Sequence, residues 1–463
     1  MKADIFLANA TVVTDYAVFS GGLAIKDGKV SQVVEGMEAI PAEQVIDLTD
    51  KILMPGLVDS HTHLNEPGRE EWEGYTAGSS AAAAGGITTT LEMPFNAKPP
   101  TRSVALLRAK REAVRDKSII EYGHWGLLEP RNLNELEGMH AEGVVGFKSF
   151  MCDAGVEFEM VDTDALYQGM QYIARLGNVV GVHAENDSLT RGLTRRLRDA
   201  GRRDARAWGE SRPPIAEVEA IQRAILAATE TGVRLHIVHA TTSGSFEAIH
   251  RGRALGVKVT GETCPHYLAL DEDDLTRLGP VAKCSPPLRR RAVVDDLWRD
   301  VLRGRVDIIA SDHCPCPPEM KQCGVDDIWQ AWGGITGNQT MLPVLLTEGV
   351  HRRGLPLTSL VRMTSLNPAR LYGLYPRQGH LWPGADADLV VVDPEKEWVL
   401  SFDDILSKHK QSPFVGMTFR GAVERTLVRG RTVYLEGEIM AQPGYGQLVK
   451  RTTSVQTAPF FGS

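Results

Sequence analysis

Hydrophobic and polar positions alternate differently in the middle of the chain and at its two ends. In the middle, short apolar runs alternate with stretches of helical period, which is typical of helices packed around a parallel sheet. The strand candidates are 57–63, 87–93, 121–128, 144–150, 179–185, 234–241, 258–264 and 306–313. Eight such strands over roughly 250 to 300 residues fit a (β/α)8 barrel better than an open, doubly wound sheet. The sequence therefore predicts an α/β fold with a TIM barrel.

The two ends carry shorter runs with the character of strands and turns. These runs are 5–13, 23–26 and 30–34 near the start, and 388–392 and 423–428 near the end. We expect the ends to pair into one small β-sandwich domain, made of 1–53 and 378–463, beside a barrel that spans 54–377. The polar stretch 444–463 is predicted to be a loosely held tail or an oligomer arm.

Composition narrows the range of partners and compartments. The 463 residues are 43% hydrophobic, which is enough for a large core, and the net charge of −8 offers no basic face for nucleic acid. The N-terminal residues lack the features of a signal peptide, and no apolar run is long enough to cross a bilayer, so no membrane partner is expected. Six cysteines are too few for a disulfide framework. We expect a cytoplasmic protein.

His61 and His63 end the first predicted strand with one residue between them. A period of two places both imidazoles on one face of that strand, where they could begin a zinc, iron, manganese or cobalt site. Alone, such a pair is more often two surface histidines at a strand end than a metal site. Four further predicted strands, however, carry an ionisable or metal-binding residue at or near their carboxyl end, namely Lys148, His183, His239 and Asp312. Catalytic groups of a TIM barrel lie at this rim, so the set predicts a metal-dependent active site.

Lys148 is the unexpected member of this set, because an ammonium would repel divalent cations and is costly in an apolar strand. A buried lysine with a lowered pKa can react with CO2, and the resulting carbamate could bridge two metal ions through its oxygens. The alternative is a lysine whose stem packs on the strand while its charge reaches solvent.

Ordered motifs run along nearly the whole chain. They are PGLVDSHTH at 55–63, NEPGR at 65–69, EGY at 73–75, GGITT at 85–89, GFK at 146–148, CPHY at 264–267, KCSPPLR at 283–289, SDH at 311–313, AWGG at 331–334 and GADADLV at 384–390. In these motifs the chain resembles the cyclic amidohydrolases of the amidohydrolase superfamily, and most closely the bacterial allantoinases. The resemblance implies that His61, His63 and Asp312 bind the more buried of two divalent ions, that His183 and His239 bind the second, and that carboxylated Lys148 bridges both. Zinc is the first expectation for the metal, with iron, cobalt or manganese as alternatives.

The same resemblance implies a reaction and a substrate. We expect hydrolytic opening of a cyclic ureide, with allantoin to allantoate as the named reaction, by a hydroxide held between the metals while Asp312 moves the proton to the leaving nitrogen. Ser285 and the backbone of Gly333 would hold the amide edge of the ring. Asn65 and Asn96 are candidates for the neutral ureido group. Relatives of this kind suggest a homotetramer or dimer.

Two neighbouring activities and one non-enzymatic role are the alternatives. Dihydroorotases usually carry an arginine two residues after the second histidine, where this chain has Asn65. Hydantoinases and dihydropyrimidinases tend to have a tyrosine five residues after the bridging lysine, where this chain has Asp153. A metal-free assembly scaffold is disfavoured by the complete set of ligands.

Other candidate features carry less weight. The spacing of Cys314 and Cys316 does not suit a zinc knuckle. Glu262 and His266 could support the ligands or pack the barrel. For Trp329 and Trp332, packing is slightly favoured over a place in the pocket wall.

Overall fold

Strands from both ends of the chain join in one sheet. The computed structural model describes residues 2–36, 38–153, 155 and 157–452. The strands of this sheet are β1 (Ala3–Val13), β2 (Val18–Lys26), β3 (Lys29–Glu35), β4 (Ala42–Asp47) and β5 (Ile52–Pro55) from the start, with Leu389–Val399, Thr418–Val428, Arg431–Leu435 and Glu438–Ile439 from the end. β5 lies between the two sets, parallel to β1 and antiparallel to Leu389–Val399. Buried apolar residues such as Leu23, Leu53 and Leu389 form the core of this β-rich domain.

The central strands form the barrel. They are β6 (Leu57–Thr62), β7 (Ile87–Glu92), β8 (Glu121–His124), β9 (Gly126–Leu127), β10 (Phe147–Phe150), β11 (Val179–His183), β12 (Arg234–Ile237), β13 (Val259–Thr263) and β14 (Ile308–Ile309). Neighbouring strands are parallel, and β8 with β9 makes up the third barrel strand. A bridge between Thr62 and His313 closes the barrel, where the His63 N–H donates to the His313 carbonyl at 2.8 Å. β15 to β18 are the four strands from the chain end given above, in chain order.

Helices connect the strands and cover the barrel. They are α1 (Tyr75–Ala84), α2 (Val104–Val114), α3 (Leu136–Ala141), α4 (Thr163–Arg175), α5 (Asp187–Asp199), α6 (Ala205–Glu210), α7 (Pro214–Thr231), α8 (Ser243–Ala254), α9 (Pro265–Ala269), α10 (Glu272–Leu278), α11 (Arg291–Leu302), α12 (Glu319–Gln322), α13 (Met341–Val344), α14 (Leu357–Val361) and α15 (Asn367–Leu371). In α4, Asp162 caps the N-terminus, and Leu166, Met170 and Ile173 recur at helical spacing on the buried face. None of the helices in the described ranges is long and apolar enough to span a bilayer.

The structure confirms the predicted TIM barrel and the β-rich domain, but several barrel strands end earlier than predicted. The sixth strand ends at Ile237 and the eighth at Ile309. The residues that follow include His239 and Asp312, with φ values of 40° and 46°. A left-handed backbone cannot continue a β ladder, so these two side chains leave the strand line and turn over the barrel rim.

The chain end runs back along the barrel. The Tyr122 N–H donates to the Gln447 carbonyl at 3.0 Å, and the Val449 N–H donates to the Tyr122 carbonyl at 2.8 Å. The prediction of a loosely held tail is therefore wrong for 444–452, because its backbone hydrogen bonds are made with a barrel strand. Residues 453–463 lie outside the described residues.

Candidate active site

The carboxyl ends of the barrel strands surround a cavity of about 410 Å3. All six side chains predicted as metal ligands line it, and they are His61, His63, Lys148, His183, His239 and Asp312. These residues come from five strands and from a sequence span of some 250 residues, so the barrel topology alone brings them together.

His61, His63 and Asp312 form the first cluster. The Asp312 Oδ1 lies 3.3 Å from the His61 Nε2 and 3.6 Å from the His63 Nε2, and all three side chains are buried. On the opposite side of the ring, the His61 Nδ1 lies 2.5 Å from Glu262 Oε1. This carboxylate also contacts His236, with 3.1 Å between the His236 Nε2 and Glu262 Oε2. Glu262 therefore orients the His61 ring so that Nε2 points into the cluster.

His183 and His239 form the second cluster. The His183 Nδ1 and the His239 Nε2 are 3.0 Å apart, and burial lowers the pKa of both imidazoles. The His183 Nε2 is held by Glu185 at 2.8 Å, and Glu185 is held in turn by Arg212 at 3.2 Å. Two neutral imidazoles with converging ring nitrogens are a suitable pair of ligands for one cation.

Lys148 lies next to both clusters. Its side chain is completely buried, and its charge contributes to lowering the pKa of His63, His183 and His239. The Nζ has no hydrogen-bond partner within the described part of the chain, and it lies 4.4 Å from the ring centroid of Phe150. Burial lowers the pKa of Lys148 to about 8. A lysine whose charge reaches solvent does not agree with this position.

The donor atoms around the cavity suit divalent ions. An orphaned buried amine beside two groups of imidazoles is costly as it stands, since a buried polar group without a partner loses its hydration. The donor set of four imidazoles and one carboxylate suits zinc, iron, manganese or cobalt. The residues therefore fit divalent metal ions.

A contact missing from the sequence reasoning holds Asp312 in place. The preceding residue, Ser311, donates to Asp59 through its N–H at 2.9 Å and through its Oγ at 2.6 Å. Asp59 is 1% exposed and stands two residues before His61 on the same strand. Its position on the ligand-bearing face, at the spacing of two that the histidines share, was the available signal for this role.

Three of the four predicted substrate residues line the cavity, and one does not. Asn96, Ser285 and Gly333 are at its surface. Asn65 is fully buried, its φ is 65°, and its Nδ2 donates to the carbonyl of Pro315 at 3.3 Å. The side chain of Asn65 thus stabilises a turn against the loop after strand eight, because asparagine tolerates the left-handed region and bonds to nearby backbone.

The tryptophans and the strand-seven residues have mixed roles. Trp329 and Trp332 both line the cavity, although packing was favoured for them. They also pack, since the centroid of the Trp332 ring lies 4.8 Å from that of Trp72 and the Trp329 centroid lies 6.0 Å from that of Trp208. His266 lies beside Asp312, and its Nε2 has no hydrogen-bond partner within the described ranges.

A TIM barrel with imidazoles, a carboxylate and a buried lysine at the carboxyl ends of its strands is the architecture of a metal-dependent hydrolase. The sequence profile of the amidohydrolase family matches residues 52–433. The chain belongs to this family.

The individual proteins that resemble this chain include allantoinases and solved structures of hydantoinases and dihydropyrimidinases. An allantoinase of Rubrobacter xylanophilus is 45% identical over 92% of this chain and 93% of its own length. An allantoinase of Solibacter usitatus is 46% identical over 95% of each chain. Among solved structures, the L-hydantoinase (dihydropyrimidinase) from Arthrobacter aurescens is similar with a TM-score of 0.95 and 36% identity, over 97% of this chain and 100% of that one. The dihydropyrimidinase from Brevibacillus agri has a TM-score of 0.90 and 32% identity, over 98% of this chain and 100% of that one.

Proposed function

We propose that this amidohydrolase opens the ring of allantoin by hydrolysis to give allantoate. The observation that carries the proposal is the convergence of the six predicted metal ligands in one cavity of a chain that is 45% and 46% identical to two allantoinases. The hydantoinase and dihydropyrimidinase structures are less similar in sequence, at 36% and 32% identity, and define the alternative activity. Either activity is hydrolysis of a cyclic amide.

We further propose that His61, His63 and Asp312 hold one divalent ion, that His183 and His239 hold the other, and that a carbamate on Lys148 is shared between them. Zinc is our first choice, with iron, cobalt and manganese as alternatives. When bound, such ions polarise a carbonyl group and lower the pKa of water to near neutrality. The orphaned Lys148 Nζ supports the carbamate, since carboxylation would remove its positive charge and supply oxygens as ligands.

Residues of the chain itself would transfer the proton, orient the metal ligands and restrict water in the cavity. Asp312 is placed to accept the proton of the attacking water and to deliver it to the leaving ring nitrogen. Glu262 and Glu185 hold His61 and His183 in fixed orientations, so that the site is organised before the substrate arrives. Aromatic side chains of Phe95, Phe150 and Phe158 line the same cavity and restrict water around the reacting ring.

Substrate contacts follow from the residues that reach the cavity. We propose that Ser285 and the backbone of Gly333 bind the amide edge of the ring and that Asn96 binds the ureido group. Asn65 has no part in this proposal, because it does not line the cavity and its Nδ2 donates to the Pro315 carbonyl.

An assay of the metal-loaded protein against allantoin, hydantoin, dihydrouracil and dihydroorotate tests the assignment. We expect kcat/KM to be highest for allantoin, because a site that hydrogen-bonds a ureido group rejects rings without it. Dihydroorotate should scarcely react, since no arginine stands at position 65 to pair with its carboxylate. Faster turnover of hydantoin or dihydrouracil than of allantoin would overturn the assignment.

Two controls accompany the assay. Metal analysis should give a stoichiometric ion content, which a metal-free scaffold would lack. Asp312→Asn should retain substantial metal and lose about 10²- to 10⁴-fold in turnover, the usual contribution of a general acid–base group.

We also propose a homotetramer or dimer, from the resemblance to oligomeric relatives, and light scattering measures this.

A further inference from the structure

Two buried lysines outside the ligand clusters contact one loop of the cavity wall. Lys283 is 3% exposed and Lys321 is 6% exposed. Within the ranges that the structure describes, neither ammonium is paired with a carboxylate. Burial lowers the pKa of both, to about 7 for Lys283. Placing two cations side by side in the interior is unfavourable, so other groups must compensate for their lost hydration.

Backbone carbonyl groups provide this compensation. The Lys283 Nζ donates to the carbonyls of Ile328 and Ala331 at 2.8 and 2.6 Å. The Lys321 Nζ donates to the carbonyls of Trp332 and Gly334 at 2.9 and 2.6 Å. Four carbonyls of the 328–334 loop are thus held from the protein side by two ammonium groups.

The two lysines are also connected to each other. The Lys321 Nζ donates to the Lys283 carbonyl at 3.0 Å, and the Gly334 N–H donates to the same carbonyl at 2.9 Å. Ser285 follows Lys283 by two residues and lines the cavity. The lysine pair, Lys283 and Lys321, therefore fixes the segment that carries Ser285 relative to the 328–334 loop.

Gly333 is one of three residues of this loop whose carbonyls the lysine pair does not engage, with Trp329 and Gln330. The carbonyls on both sides of it, those of Trp332 and Gly334, are engaged by Lys321. In the described part of the chain, no hydrogen bond uses the Gly333 carbonyl. Gly333 faces Ser285 across the cavity wall, since a Cβ atom built on it would lie 3.6 Å from the Ser285 Cβ. A ring amide placed here would find backbone groups whose directions are already set.

We propose that Lys283 and Lys321 are positioning residues that hold the backbone of Gly333 and Ser285 in the orientation that binds the amide edge of the substrate ring. This inference rests on the proposed hydrolysis of cyclic ureides and deepens it. The amide edge is common to allantoin and hydantoin. The lysine pair therefore governs how tightly a ring binds, while the choice between rings depends on other residues.

Kinetics of Lys321→Met and Lys283→Met with allantoin and hydantoin test the proposal. Methionine keeps the length and apolar body of the side chain and removes every N–H donor. We expect KM to rise at least about tenfold for both substrates, comparable to the loss of one hydrogen bond to a charged group. The change in kcat should be smaller, and the ratio of kcat/KM between the two rings should stay within about a factor of two. Metal content should remain that of the wild type, because the hydrogen bonds of the lysine pair involve none of the proposed metal ligands.

A matched control and a conservative variant separate positioning from general stability. Lys258→Met makes the same substitution at an exposed lysine and should leave both KM values unchanged. Lys321→Gln retains two N–H donors and should recover part of the loss in KM. If Lys321→Met does not yield folded protein, Lys283→Met and Lys321→Gln decide the question.

Three results would overturn the proposal: wild-type KM values in a folded variant, a loss of metal that accounts for the loss of activity, or a changed preference between the rings. If the wild type does not open allantoin, the comparison is made with hydantoin and dihydrouracil, which carry the same amide edge. A failed allantoin assignment therefore leaves the test of the lysine pair intact.

Discussion

At the scale of single residues, two proposed metal ligands at the barrel rim have a left-handed backbone conformation. His239 and Asp312 have φ values of 40° and 46°, a region that costs of order 1 to 3 kcal/mol for residues other than glycine. Ile237 and Ile309, which end the two strands before them, are paired with neighbouring strands, so the surrounding structure can impose this conformation. Strained backbone at two proposed ligands places their side chains over the cavity instead of along the strand.

Lys148→Ala tests the bridging role at this scale. Removing the Lys148 amine removes the group on which the proposed carbamate would form, so both metal content and turnover should fall together. Small carboxylic acids such as acetate should restore part of the activity by supplying oxygen ligands. Measured metal content and turnover close to those of the wild type would contradict the bridge.

Asp388 makes the stability of the protein depend on pH. Burial raises its pKa from 3.8 to about 7, and its oxygens accept hydrogen bonds from the Arg429 N–H and the Gln378 Nε2 at 2.8 and 2.9 Å. Because the folded-state pKa is the higher one, the stabilising contribution of the protonated form is complete below the unfolded pKa and is lost as pH rises towards 7. Between pH 5 and pH 8 the loss should be about 2 to 3 kcal/mol, at about 1.4 kcal/mol for each pKa unit.

The variant Asp388→Asn tests this prediction. Asparagine is neutral at both pH values, and its amide can donate to the Gln378 Oε1, which has no partner in the described residues. Denaturant unfolding of the metal-free protein at pH 5 and pH 8 should therefore show a smaller difference for Asp388→Asn than for the wild type. Equal differences for the two proteins would show that Asp388 stays ionised throughout this range.

Part of the candidate site could be predicted from the spacing of single residues in the sequence. The rest depends on contacts that leave no pattern in the sequence. His61 and His63 were accessible because their spacing matches the strand period, and the other proposed ligands because they stand at or near the carboxyl ends of strands. Glu185 with Arg212, and Lys321 with the Lys283 carbonyl, depend on contacts between residues 27 and 38 positions apart. Neither pair has a periodic signal in the sequence.

At the scale of elements, one buried carboxylate ties a helix to the end of a strand. Glu217 on α7 accepts hydrogen bonds from the Thr241 N–H at 2.8 Å and from the Ser245 Oγ at 2.5 Å. It also pairs with Arg289 at 3.2 Å. Thr241 follows His239 by two residues, so this contact fixes the segment that carries a proposed ligand.

Glu217→Ala should therefore destabilise the barrel strongly. It leaves the buried guanidinium of Arg289 without its carboxylate, and breaking such a pair costs about 3 to 5 kcal/mol. Denaturant unfolding followed by circular dichroism measures the change. Glu230→Ala, at an exposed position of the same helix, is the control and should change the unfolding free energy by less than about 0.5 kcal/mol. Similar effects of the two substitutions would contradict the anchoring role of Glu217.

Element types were easier to predict than element ends. The apolar runs of the barrel strands are continuous because both faces of the strands are buried, which gives a strong signal. The predicted eighth strand at 306–313 is reduced to Ile308–Ile309, since the backbone turns at Asp312 for a reason that depends on the rim and not on local propensity. The sequence does not reveal the docking of 444–452 on the barrel, because its hydrogen bonds to Tyr122 are made by backbone groups that any residue carries.

At the scale of the whole molecule, the two chain ends meet at one strand. β5 pairs with β1 through Thr11 and Ile52 and with β15 through Ile52 and Val392. The barrel follows β5 directly and returns to β15, so the β-rich domain encloses the start and the end of the barrel. Hydrogen bonds also cross between the two units, such as that from the Thr426 Oγ1 to the Ala83 carbonyl at 2.7 Å.

This arrangement has a consequence for synthesis on the ribosome. β5 emerges early, but its partner β15 begins at Leu389, so the whole barrel is translated before the sheet can close. At about 5 to 20 residues per second, the edge of β5 waits for tens of seconds without its antiparallel neighbour. An unpaired strand edge is the usual starting point for association with other chains, so nascent protein is most vulnerable to aggregation in this interval. Chaperones that bind extended apolar segments would act on this chain before β15 leaves the exit tunnel.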